Sequence, residues 1–107
     1  GAVTMQFPVI HPEAEEEVGA AVDYWELRSP GLGNDLALQW MAALRTIQSN
    51  PRLHPLADDA PIGEEVRNYL LRGLSYRVIC LVEDSELMVL AFAHTKRRPG
   101  YWLARLP

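Results

Sequence analysis

Side chains able to do chemistry crowd into one short stretch near the end of the chain: His94-Thr95-Lys96-Arg97-Arg98-Pro99-Gly100-Tyr101-Trp102. Arg77, inside the apolar run before it, and Arg67, one segment earlier, add two more guanidinium groups. If these segments are neighbouring strands, Arg67, Arg77, Arg97 and Arg98 could converge at one edge of a sheet. Such a cluster suits phosphate, because a guanidinium is a flat fork of donors that keeps its charge at any working pH. Tyr101 and Trp102 could stack on unpaired bases beside it. A metal-free ribonuclease needs a base for the 2′-hydroxyl, an acid for the leaving oxygen and cations on the phosphate. His94, Tyr101 and the arginines include the residue types for those roles. The competing reading is structural: Arg77 pairs with a glutamate, while Tyr101 and Trp102 plug the open end of the core.

The totals bound what can hold these groups. The 107 residues fit a single domain spanning 1–107. With 49% apolar and 22% charged residues the composition is that of a globular chain. Cys80 is the only cysteine, so it can form no internal disulfide and belongs to no multi-cysteine metal site. His54 stands in a loop without a ligand-type neighbour and reads as solvated. No metal or cofactor is implied. The longest apolar run, Leu87 to Ala93, is far short of the roughly 20 residues of a membrane helix. No basic start followed by an apolar run suggests a signal peptide, so a cytoplasmic protein with no membrane partner is expected. Charge is unevenly spread: residues 1–66 set Arg28, Arg45 and Arg52 against eleven acids, a net of −8, whereas residues 67–107 net +4. Each half can steer a partner of opposite sign.

The elements follow from periodicity. Met5 to Ile10 reads as a short strand, kept to an edge by Pro8. Pro12 and the following glutamates suit a helix start, and Ala14, Val18, Ala21, Val22 and Trp25 continue it as an apolar stripe. Ser29-Pro30-Gly31-Leu32-Gly33 breaks that helix, and Leu36, Trp40, Ala43, Leu44 and Ile47 mark a second, so an antiparallel helical hairpin is expected. Residues 51–65, with Pro51, Pro55 and Pro61, form a loop. Strands are expected from Val66 to Leu71, from Tyr76 to Glu83, and over the run after Glu83-Asp84-Ser85-Glu86. Strict alternation places Val78, Cys80 and Val82 on one face with Arg77, Ile79 and Leu81 on the other, and sets Val89 and Ala91 opposite Met88, Leu90 and Phe92. Both faces are apolar, and one helical hairpin covers only one. The other needs the C-terminal tail, a dimer mate or a separate peptide.

The extended start, HPEAxxE, the SPGLG bend, the Pro-containing loop, GxxYRV and LAFAHxxRRPGYWxxR occur here in an order that resembles the RelE/ParE toxin superfamily. The nearer likeness is to ParE-like plasmid stabilisation toxins of type II toxin–antitoxin pairs. The resemblance runs from about Val9 to Arg105. It implies an α+β fold of order β-α-α-β-β-β, the helical hairpin lying on a small antiparallel sheet. It also implies a cognate antitoxin whose C-terminal segment covers apolar surface, with a homodimer or a toxin–antitoxin hetero-oligomer as the assembly. RelE-like members cleave mRNA on the ribosome, and their pattern implies catalytic roles for Arg77, Arg97 and Tyr101. ParE-like members act on DNA gyrase, for which Arg67, His94, Lys96, Arg98 and Trp102 stand as target-binding candidates. Asn68 and Leu70 occupy positions where the RNA-cleaving pattern carries lysines, and the H-x-x-R ending is nearer to ParE, so the gyrase reading stands ahead. A non-toxic interaction module of the same fold is the third reading. Arg77→Ala and Arg97→Ala are expected to relieve toxicity with the fold intact.

Overall fold

Proline, glycine and short polar turns divide the chain where the periodicity predicts. The structure, a computed structural model, describes residues 7–107. Of the strand expected from Met5 to Ile10, Met5 and Gln6 lie outside the described residues, and Val9–Ile10 form β1. Helix α1 covers Pro12–Arg28. His11 caps it by accepting the Glu13 N–H on Nδ1 at 3.1 Å, and Glu13 and Glu15 meet the positive end of the helix dipole. Helix α2 covers Leu32–Ser49 and starts from Gly31, whose φ of 94° only glycine adopts without strain. No side chain of its own caps this start. Instead Glu26 of α1 accepts the N–H groups of Gly31 and Gly33 at 3.1 and 3.0 Å. A Cβ on Gly33 would lie 2.7 Å from the Val22 carbonyl oxygen, so the two helices touch where only a hydrogen fits.

Strands β2 (Val66–Leu70), β3 (Tyr76–Val82) and β4 (Leu87–His94) form an antiparallel meander. β1 adds to the outside of β4 in parallel, giving the order β1-β4-β3-β2. The sheet is therefore mixed: the antiparallel unit that was expected, with β1 added to it in parallel. Leu36, Trp40, Leu44 and Ile47 of α2 pack on Val78, Cys80, Val82 and Phe92 across the helix-covered face. No described helix is long and apolar enough to cross a membrane.

Strict alternation does not hold along β4. Ile79 pairs with Ala91 and Cys80 with Val89, so Leu90 is an extra residue in β4, a β-bulge. Alternation cannot cross it: Phe92 joins Val89 under the helices, while Ala91 turns to the other face with Leu90. That second face is covered from within the chain. The 55–57 segment runs along β2, with Ala57 N–H donating to Val66 C=O at 2.8 Å and Asn68 N–H to Pro55 C=O at 3.0 Å. From the C-terminal tail, the fully buried Trp102 closes the layer over Ile79, Leu81 and Ala93. His54, expected in solvent, is half-buried edge-on to Tyr69, its ring 4.9 Å away.

Gly33→Ala is expected to lower stability by about 1–3 kcal/mol, since the added methyl meets the Val22 carbonyl oxygen of the helix backbone as well as the Glu26 side chain. Thermal melts of the two proteins test this; equal midpoints would show that the helices can part without cost.

Candidate functional site

Two partly buried carboxylates decide where the tail lies. Asp59 arrives from the long loop and meets Arg77 on the face of β3 away from the helices. The guanidinium donates through Nη1 to Oδ1 at 3.1 Å and through Nη2 to Oδ2 at 2.7 Å. Gly100 N–H and Trp102 Nε1 donate to Oδ2 as well, at 2.9 and 2.8 Å. The Arg77 fork holds the Asp59 carboxyl far below its ordinary value of 3.8, aided by Gly100 and Trp102 and opposed by burial. The pair is 15% and 9% exposed on its side chains, which leaves Arg77 no open donor fork for a phosphate.

The second carboxylate is Glu17 of α1. Arg105 donates Nη1 to Oε1 at 2.7 Å and Nη2 to Oε2 at 3.2 Å, and its Nε pairs with Glu13 at 2.7 Å. The Tyr101 hydroxyl donates to Glu17 Oε2 at 2.7 Å, and the Phe92 N–H donates to Oε1 at 3.1 Å. Arg105 Nη1 also reaches the carbonyl of the bulge residue, Leu90, at 3.0 Å. Burial and the bond to Glu17 push the Tyr101 phenol well above its usual range, so it keeps its proton. Its ring serves as a platform: the Arg97 guanidinium lies 4.0 Å above its centre, and that of Arg105 lies 5.1 Å away.

The cations expected to converge do not all do so. Arg67 pairs in register with Cys80, on the helix-covered face, and Arg77 with Ala93, on the other. Arg67 is spent on Glu65 at 2.9 Å and on the His54 carbonyl at 2.7 Å. Arg77 does pair with a carboxylate, but with an aspartate from the loop. Trp102 is 0% exposed, so its ring offers no face to a base or a target. What remains in reach is the turn after β4, where Lys96, Arg97 and Arg98 are exposed. His94 lies edge-on to Tyr76 at 5.4 Å and accepts the Lys96 N–H on Nδ1 at 3.1 Å, which leaves Nε2 as the donor of the neutral ring.

His94 and Arg97 share a cleft of about 240 Å³ between α1 and the end of β4, with Glu17, Tyr24, Tyr76 and Phe92 among its walls. Tyr24, Tyr76 and Glu17 were not singled out as site residues, and neither was Asp59. Glu17 and Tyr24 sat in a helical pattern that explained them sufficiently. Asp59 sat among loop acids with nothing to separate it from Asp58.

No protein-family profile matches the chain, and no curated protein matches it. Among solved structures, a chain of the chromosomal ParDE TA system from P. aeruginosa superposes with a TM-score of 0.70 at 13% identity, covering 86% of this chain and 98% of that one. At that identity the likeness is one of fold.

Asp59→Asn is expected to cost about 3 kcal/mol at pH 7, because it leaves the Arg77 charge partly buried without a counter-charge. Arg77→Ala is expected to do comparable damage, correcting the expectation that it spares the fold. A depressed carboxyl contributes stability in full above its ordinary value of 3.8 and loses it as pH falls through the lower folded value. The gap between wild type and Asp59→Asn in urea melts should therefore be widest near neutrality and close in strong acid. A gap that widens on acidification would contradict the pairing. Together, the helical hairpin, the four-stranded sheet and the superposition establish that the chain has the RelE/ParE-like fold.

Proposed function

We propose that this chain is the toxin of a type II toxin–antitoxin pair, held inactive by a cognate antitoxin, and that it acts on DNA gyrase in the cytoplasm. The superposition on a chain of the ParDE system supports the first half. One observation carries the second: of the three groups that an RNA-cleaving member would use, Arg77 and Tyr101 are committed elsewhere, and only Arg97 stays open. Arg77 is forked onto Asp59, and the Tyr101 hydroxyl donates its hydrogen bond to Glu17. A phenol raised in this way is a poor proton shuttle near neutrality, and a locked guanidinium cannot follow charge as it develops on a phosphate. The reachable cations, Lys96, Arg97 and Arg98, form a contact edge suited to a protein surface.

Ribonuclease activity keeps one specific support, the presence of His94 and Arg97 in a single cleft, which offers a proton carrier and a cation side by side. Induced expression separates the readings. Growth should stop without the antitoxin and resume with it, gyrase-cleaved DNA should accumulate, and cell-free translation should continue on intact mRNA. Arg97→Ala should raise survival at least tenfold at unchanged soluble yield. Cut mRNA with uncleaved DNA would replace the gyrase reading with the ribonuclease, and no growth effect at full soluble expression would sink the toxin reading altogether.

A further inference from the structure

The outer edge of β4 is only half used. β1 ends at Ile10, where the chain turns into α1, so among the described residues no strand lies beside β4 beyond Val89. The β3–β4 ladder pairs Val78 with Phe92 and Tyr76 with His94, while the neighbouring Thr95 N–H donates inward to Ser75 C=O at 2.8 Å. In antiparallel pairing alternate residues bond inward, so Phe92 and His94 turn their backbone groups outward. Two of those four groups are satisfied: Phe92 N–H donates to Glu17, and His94 C=O accepts from Arg97 N–H. Phe92 C=O and His94 N–H have no partner among the described residues. Phe92 and His94 both line the cleft that Arg97 shares.

The spacing of those two groups selects a ligand. In a parallel ladder a single residue of the added strand donates to the carbonyl of one residue and accepts from the N–H two residues further on. Phe92 C=O and His94 N–H are such a pair, on the same edge where β1 already runs parallel to β4. Beside them the Arg97 guanidinium lies over the Tyr101 ring, 4.0 Å from its centre, and makes no ion pair among the described residues, leaving its fork open. The Tyr76 hydroxyl accepts from Trp25 Nε1 at 3.0 Å and so has its own proton to give. Tyr24, Ala20 and Phe92 supply an apolar wall. We propose that this cleft receives an extended segment of a partner protein, one residue adding to the edge of β4 and an adjacent Asp or Glu side chain seated on Arg97. Nucleic acid fits less well. Glu17 and Phe92 line the same space and bring a carboxylate and an outward carbonyl, both acceptors, and a phosphodiester backbone has no N–H to offer them.

The test is a titration of the ¹⁵N-labelled chain with a terminally blocked Val-Glu-Val tripeptide, followed through backbone amide shifts. The His94 amide should move downfield and saturate as it gains a hydrogen bond, with Arg97 responding alongside. Replacing the peptide glutamate by glutamine, or Arg97 by alanine, should weaken binding about tenfold. Arg97 is exposed, so its removal should leave the remaining amide spectrum in place. Equal binding of the glutamine peptide, shifts confined to other strands, or no shift at all would overturn the site. So would uridine monophosphate moving the same amides where the tripeptide does not. Binding is read without toxicity, so a chain inert toward gyrase would leave this inference standing, and a gyrase poison that ignores the tripeptide would remove it alone.

Discussion

One carboxylate with four donors holds the far side of this protein together. Asp59 accepts both arms of the Arg77 fork, the Gly100 amide and the Trp102 indole, and these donors come from a strand and the tail while the acceptor comes from a loop. An ionised carboxylate only 9% exposed is tolerable when its lone pairs are filled in this way. The arrangement also explains how a loop and a tail, neither with regular structure of any length, cover the second face of the sheet. Trp102 seals that face only because its indole N–H has somewhere to go.

Glu17 does the matching work at the opposite edge. The bulge at Leu90 and the early end of β1 leave backbone groups of β4 without strand partners, and Glu17 and Arg105 take two of them. Tyr101 joins the same carboxylate, so residues 100–105 are pinned from both sides: Gly100 and Trp102 to Asp59, Tyr101 and Arg105 to Glu17. The functional consequence is a division within the basic tail. Its aromatic end belongs to the scaffold, and only the turn from His94 to Arg98 presents charge outward. The tail's tyrosine and the strand arginine spend their hydrogen-bonding capacity inside the protein.

Local signals carried the elements well. Pro12 and the glutamates after it announced α1, the SPGLG bend separated the helices, and the acidic turn at residues 83–86 marked the last hairpin. Those signals act over a few residues, where backbone preference and apolar period dominate. They failed where a single residue broke the period. Leu90 inserts one position into β4, and every side chain after it faces the opposite way from the alternation.

Type and spacing determined a helical hairpin on a small sheet, an apolar second face that needed cover, and a cationic turn after the last strand. Tertiary structure alone decided which cations stay free. Arg67 and Arg77 look equivalent in the sequence, yet the strand register sends them to opposite faces and to different carboxylates. Choosing between Asp58 and Asp59, or among four nearby glutamates, depends on which oxygen comes within about 3 Å of a guanidinium. That distance is set by how the loop and tail fold over the sheet, far beyond the reach of any local pattern.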